Sequence, residues 1–339
     1  MVKRRVTYPG VSPVVAACLS CCWIITFAVS FTISPHYTSR RNGNSQVLSW
    51  DSSNFVERLA LKSSSSTSTS LTPDRRRRRI RLDNDQDAML LSRPIPISEN
   101  MTITIWEWEQ PAEMVEAYWE AQQANLLLGA TPTKNLEEPL LDPFGIVSWP
   151  GALVASRELL RRHKDAVENK TILILGAGVG MEAMAAAKLG ARRVIATDIH
   201  PSTLKQIEVG ATEAGLEDVI EIQEFDLFSK EPLPSISNIE LIVVSDVLYN
   251  GNLASQVSKR LVEALASSPS SQMKILVTDS QRFALNFEAE LNEGLKSLSL
   301  PPVCWNDYIL EQFTGSGVSI NEDQTYDVTT RILWIQSSS

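Results

Sequence analysis

Three groups of residues in this chain could act together on one ligand. The apolar run Ile172-Leu173-Ile174-Leu175 leads straight into Gly176-Ala177-Gly178-Val179-Gly180, and such a turn lets the backbone approach a ligand closely at the carboxyl edge of a sheet. Asp198 closes the next apolar stretch, where an acid can accept hydrogen bonds from both hydroxyls of a ribose, and Asp226 follows the stretch after that, within reach of an adenine amino group. The third group, Ser245-Asp246-Val247-Leu248-Tyr249, ends a fourth apolar stretch and so falls on the same edge.

Spacing decides which cofactor these groups suit. A dinucleotide fingerprint requires glycine at its sixth position, where packing and the pyrophosphate leave no room for a side chain; here that position is Met181. S-adenosylmethionine (AdoMet) has no pyrophosphate to cradle. Glycines at 176, 178 and 180 followed by Asp198 therefore favour AdoMet, against the plainer reading of a turn that only packs tightly. Three of the four cysteines, Cys18, Cys21 and Cys22, share one N-terminal apolar run, which leaves Cys304 alone in the body and excludes both a disulfide framework and a cysteine zinc site. No metal is expected.

The elements that would position these groups alternate. Strands are predicted at 171–175, from 193 to Asp198, at 220–223, 241–245 and 274–278, with helices at 182–189, 202–214 and 253–266 between them. Near-continuous apolar strands separated by helices imply a parallel sheet covered on both faces. Two alternating stretches, 303–310 and 329–335, suit a terminal antiparallel hairpin. Upstream, Thr102 to Trp108 reads as a strand, Pro111 to Asn125 as a helix with Met114, Ala117, Tyr118, Ala121 and Ala124 at helical spacing, 129–143 as a proline-bearing loop, and 147–160 as a helix ending in Arg161, Arg162, His163 and Lys164.

Charge divides the chain differently. Residues 1–95 hold 14 basic and 6 acidic side chains, whereas residues 96–339 hold 17 and 34. The acidic body argues against nucleic acid as a partner, since phosphate binding needs a positive footprint, and it suits a basic one. Lys3, Arg4 and Arg5 precede an uncharged stretch from Val6 to Ser34, which reads as a signal peptide, with Ala28 and Ser30 before a cleavage point at Phe31, or as a membrane anchor if it is kept. The Ser/Thr-rich tract beyond it cannot bury a core. This succession resembles the bipartite presequences of algae with secondary plastids, which implies a plastid; an endomembrane anchor and a mitochondrion are the alternatives. The expected domains are thus an address at 1–33, a disordered Ser/Thr/Arg-rich linker at 34–98 that includes the run Arg75 to Arg79, an N-terminal extension at 99–145 and a catalytic domain at 146–339.

Trp149-Pro150-Gly151-Ala152, the glycine turn, Asp198 and the Asp246-x-x-Tyr249 motif together resemble the seven-strand protein-lysine methyltransferases that act on calmodulin, chaperones and the electron-transfer flavoprotein β subunit. Asp142-Pro143-Phe144, leading to Trp149, looks most like the flavoprotein-directed branch. The resemblance runs from about Asp142 to Ile335. It implies a Rossmann-like, seven-stranded, mostly parallel sheet with an antiparallel C-terminal hairpin. It also implies AdoMet as cofactor and an AdoMet pocket lined by Trp149, Gly176, Ala177, Gly178, Gly180, Asp198 and Ser245, with Asp226 added from its position. Asp246 would then attract the substrate ammonium and Tyr249 would place the amine with its hydroxyl or ring face. The expected partner is a protein bearing a target lysine, and the expected enzyme a monomer. Methylation of a small molecule and a non-catalytic methyltransferase-like scaffold are the competing readings. Val209-Gly210 and the segment Thr278 to Arg282 depart from the family's pattern, which puts the substrate in doubt more than the cofactor.

Overall fold

The computed structural model of the chain describes residues 75–82, 87–127, 141–235, 238–267, 273–280, 283–305, 307–315 and 323–336. All of these lie in the second of two compact units, Leu71–Ser339. The apolar N-terminal stretch, the Ser/Thr-rich tract and most of the loop expected at 129–143 fall outside the described residues. Among the described residues no helix is long and apolar enough to cross a membrane.

The centre is a seven-stranded sheet of order β6-β5-β4-β7-β8-β10-β9. Its strands are β4 (Thr171–Leu175), β5 (Arg193–Asp198), β6 (Ile220–Glu224), β7 (Leu241–Ser245), β8 (Lys274–Asp279), β9 (Asp307–Gly315) and β10 (Gln324–Gln336). β4 to β8 are parallel, and β10 runs antiparallel to β8 and to β9. Period-two alternation divides each buried strand between two faces. Ile172, Ile174, Val194, Ala196, Leu241 and Val243 point to one core, which they share with α2 (Pro150–Arg161), α4 (Met181–Lys188) and α5 (Pro201–Ala214). Leu173, Leu175, Ile195, Ile242 and Val244 point to the other, filled by α6 (Gly251–Ser267) and α7 (Ala284–Ser297). A one-turn helix, α3 (His163–Ala166), follows α2. The switch in strand order between β4 and β7 opens a crevice at the carboxyl edge, where open sheets of this kind bind ligands.

Several sequence expectations are corrected. Residues 77–98 are not a disordered linker: β1 (Arg77–Arg81) and β2 (Asp87–Ser98) form a three-stranded antiparallel sheet with β3 (Met101–Trp108). Arginine-rich composition hid β1, yet its arginines and Arg76 just before it find acids: Arg76 and Arg78 pair with Glu213, Arg77 with Glu109 and Arg79 with Asp87. Pro94 and Pro96 hid β2. β1 covers only Asp87 to Leu91 of it, so beyond that point β2 is an edge, where a missing N–H costs little. The small sheet buries Ile95, Ile97, Ile103 and Ile105 in the same core as α4 and α5, and Trp106 with Val209 in a satellite. It is part of the body rather than an appendage. The helix expected from 147 begins only at Pro150, α7 was not foreseen, and the terminal hairpin starts at Asp307 rather than 303 and its second strand at Gln324 rather than 329.

Candidate active site

The carboxyl edge of the sheet opens into a cavity of about 580 Å³, a size that suits a small-molecule cofactor. One end is built from backbone. Gly176, Gly178 and Gly180 all have positive φ, at +69°, +50° and +77°, a conformation that other residues adopt only at a cost. A Cβ on Gly178 would also sit 3.2 Å from the Gly145 carbonyl oxygen. The Gly178 N–H donates to Asp198 Oδ2 at 2.9 Å and the His200 N–H to Oδ1 at 3.0 Å. Burial raises the Asp198 carboxyl above its ordinary range, and these N–H donors oppose that rise. With two oxygens and one backbone N–H on each, the Asp198 carboxyl keeps acceptor capacity for a ribose diol. Asp226 and Ser245 complete this wall, with Asp226 Oδ1 accepting the Phe228 N–H at 2.8 Å.

Trp149, Pro150 and Gly151 form one device with Asp246. Trp149 is the extended residue ahead of α2 and Pro150 takes the first helical position, where its missing N–H is not needed. The next N–H, from Gly151, donates to Asp246 Oδ2, so an acid from the end of β7 caps α2 across the fold. Only glycine fits there, since a Cβ would fall 2.6 Å from Asp246 Cγ. Asp246 Oδ1 accepts the Ser280 N–H at 2.6 Å and its hydroxyl at 2.7 Å, while Thr278 Oγ1 donates to the Gly151 carbonyl at 2.9 Å. Asp246 itself sits at φ +52°, a strained conformation held by these bonds.

The other end is aromatic. Tyr118 and Trp119 from α1 (Pro111–Leu127) meet Phe144, with ring centroids 6.1 and 6.4 Å apart, and Phe144 meets Tyr249 at 5.7 Å and 87°. The Tyr249 hydroxyl donates to Asp142 Oδ2 at 2.7 Å. Burial, joined by the Asp142 charge, pushes the Tyr249 hydroxyl well above its ordinary range, so it remains a proton donor. The Trp149 indole N–H donates to the Phe144 carbonyl at 2.7 Å, tying the two ends together.

Of the residues picked from sequence, Trp149, Gly176, Gly178, Asp198, Asp226, Ser245, Asp246 and Tyr249 share this cavity wall. Ala177 and Gly180 do not. The Ala177 N–H is spent on the Thr197 carbonyl, and Gly180 packs against Ile207 while opening α4. Asp246, expected to meet an ammonium directly, has both oxygens engaged by Gly151 and Ser280; its first duty is to the frame. Sequence reasoning read Tyr118 only as a helix-spacing residue, passed over Trp119, and used Asp142 and Phe144 only as the approach to Trp149.

Known proteins resemble this chain. The lysine methyltransferase family pattern matches residues 131–293. The electron transfer flavoprotein beta subunit lysine methyltransferase of Xenopus laevis is 30% identical over 196 residues, covering 58% of this chain and 70% of that protein. The chain belongs to the lysine methyltransferase family. The rat protein of the same name is 33% identical over 117 residues, a stretch spanning 34% of this chain but only 43% of the rat protein. A ribosomal protein L11 methylase from Lactobacillus delbrueckii subsp. bulgaricus superposes with a TM-score of 0.40 at 18% identity, covering 72% of this chain and 99% of that one.

The family's cofactor fits the residues present. Positive φ at Gly176 and Gly178 disfavours a Cβ in the cradle, and the buried acid at 198 and the half-buried one at 226 supply acceptors where a nucleoside offers donors. None of the lining residues is Lys or Arg, although Arg260 stacks on the Phe225 ring of that wall.

Proposed function

We propose that the chain is an AdoMet-dependent methyltransferase acting on a lysine side chain of a protein substrate. The observation that carries this reading is a single cavity with a nucleoside-suited end, at the glycine turn and Asp198, and an acidic, aromatic end open to solvent. When bound, AdoMet would supply a methyl group made electrophilic by the sulfonium. In this reading Asp198 holds the ribose, Asp226 faces the adenine amino group, and Trp149 and Ser245 close the wall between them.

Methyl transfer is an in-line displacement: a nitrogen–carbon bond forms as a carbon–sulfur bond breaks. The protein's task is alignment. A lysine ammonium has no lone pair and must first release its proton, which an enclosed site beside a positive sulfonium favours. Tyr249 cannot take that proton, because its own hydroxyl is held protonated against Asp142. The proton goes to water at the open mouth, where Trp119 remains 41% exposed. Asp142 draws the cation in, while Asp246 keeps α2, and with it Trp149, in register.

The test uses the full chain, because removing residues ahead of 100 would take away β1 and β2. It is incubated with radiolabelled AdoMet and, separately, the electron transfer flavoprotein beta subunit named in its relatives, an organellar protein extract, and the small-molecule fraction of that extract. Label on a protein lysine is the expected result. Label only in small metabolites would overturn the protein-lysine reading, and failure to bind AdoMet by calorimetry would leave a scaffold. For residues 1–74 we propose a plastid address; a fluorescent fusion of that segment that gave a smooth reticular pattern would refute it.

A further inference from the structure

We propose that Tyr118, Trp119, Phe144 and Tyr249, with Asp142, form a cation subsite at the mouth of the cavity, and that helix α1 thereby supplies part of the recognition of the substrate ammonium. This deepens the lysine reading above and rests on it.

Four observations carry it. The rings are contiguous: centroids of Tyr118 and Trp119 lie 5.3 Å apart, and the contacts through Phe144 to Tyr249 are edge-to-face rather than stacked, which gives a wall with ring faces turned in more than one direction. That wall lies on a ligand cavity, and Trp119 is 41% exposed although it packs on two other rings. The carboxylate of Asp142 lines the same mouth and takes the Tyr249 hydroxyl on one oxygen. Finally, the wall as a whole carries Asp142, Asp198, Asp226 and Asp246 and no Lys or Arg. Arg76 and Arg162 stack on Trp106 and Trp334, and Arg260 stacks on Phe225, a ring of the same cavity that is not one of these four.

Ring faces attract a cation without needing its N–H groups. A pocket lined by amides would lose a hydrogen bond each time an N–H became an N–CH3; this one would not. The subsite should therefore hold an ammonium whether or not it carries methyl groups, and it should reject a neutral molecule of the same shape. Asp142 supplies a charge without demanding one geometry, because its nearer polar contact is already with Tyr249.

The probe is tetramethylammonium, titrated into the full chain saturated with S-adenosylhomocysteine so that the cofactor end is filled, with binding read by calorimetry and by tryptophan fluorescence. 3,3-Dimethyl-1-butanol, whose tert-butyl group presents the same cluster of methyls without the charge, is the control. Tetramethylammonium should bind and the alcohol should not. Trp119→Ala and Asp142→Asn should each weaken binding about 5-fold, and Trp119→Phe should restore most of it. Equal binding of the alcohol, no binding of the cation, or unchanged binding in both variants would overturn the proposal. The two readings fail separately. Label on protein lysine without tetramethylammonium binding would sink the subsite alone. Cation binding without label on protein would sink the lysine reading and leave a cation subsite that serves a small amine.

Discussion

The two ends of the cavity are built by opposite means. At the cofactor end the chain brings its backbone to the ligand: three glycines with positive φ, N–H groups aimed at buried carboxylates, and strand ends fixed by a parallel sheet. At the aromatic end, where the substrate is proposed to enter, it brings side chains from places far apart, with Tyr118 and Trp119 on α1, Asp142 ahead of a short 3-10 turn that Phe144 opens, and Tyr249 after β7. Backbone architecture tolerates little change, because a Cβ at Gly151 or Gly178 has nowhere to go. Side-chain architecture can be retuned one ring at a time. A fold that keeps one cofactor while changing its target needs this division, and it makes the two ends separately breakable.

Asp246 stands where they join, and the largest effect is expected there. If its duty is to cap α2 and hold Ser280, Asp246→Ala should leave the Gly151 and Ser280 N–H groups buried without partners and lower stability by about 3–5 kcal/mol in chemical denaturation, with loss of transfer as a consequence. A variant of unchanged stability that has lost only activity would return Asp246 to a direct role with the ammonium. Asp198→Asn should come next. By removing the charge that a ribose diol would meet, it should weaken AdoMet on the order of 10- to 100-fold in calorimetry while leaving tetramethylammonium affinity as it was. Parallel loss at both ends would show that they are not independent.

How much of this was legible follows the same division. The strands at 171–175, 241–245 and 274–278 are near-continuously apolar, and every residue in them but Lys274 is buried, so composition alone marked them. The glycine turn and Asp198 were readable because positive φ and a carboxylate after a strand leave local signatures. The link between Trp149-Pro150-Gly151 and Asp246 was not, because residues 95 apart in sequence meet only in the fold. The same holds for Glu107. Buried beside Arg93, it accepts both the N–H and the hydroxyl of Ser148, at 2.9 and 2.7 Å, and so ties β3 to the residue before Trp149. Nothing within a few residues of either partner announces that bond. β1 and β2 were missed for another reason: their arginines and prolines speak against strands locally, and only Glu213, Asp87 and the edge position of β2 make those residues acceptable.

A smaller effect isolates the hydroxyl of Tyr249 from its ring. Tyr249→Phe keeps the ring against Phe144 but removes the donor to Asp142, so AdoMet affinity should hold while the transfer rate drops about 3- to 10-fold, the worth of one hydrogen bond to a charged group reduced by its partial exposure to solvent. An unchanged rate would reduce the Asp142 contact to packing.

A separate effect, read through pH, concerns the root of the cofactor end. Glu182, the second residue of α4 behind the glycine turn, is 1% exposed, and among the described residues its carboxyl meets no donor from another residue, only its own backbone N–H, which acts to lower its pKa. Burial, with the Asp246 charge acting in the same direction, pushes its carboxyl from 4.5 up to about 8. The folded state thus keeps a proton that the unfolded chain releases, so stability present below about pH 4.5 is lost as pH rises toward 8 and levels off above it. Glutamine mimics the protonated form and cannot ionise. Glu182→Gln should therefore melt close to the parent chain at pH 5 and above it at pH 8.5, and the gap should open between those values. A gap that is constant across the range would mean that Glu182 is ionised in the folded protein and that some group near Asp246 neutralises it, in which case the cofactor end would rest on a charge pair rather than on a buried neutral acid.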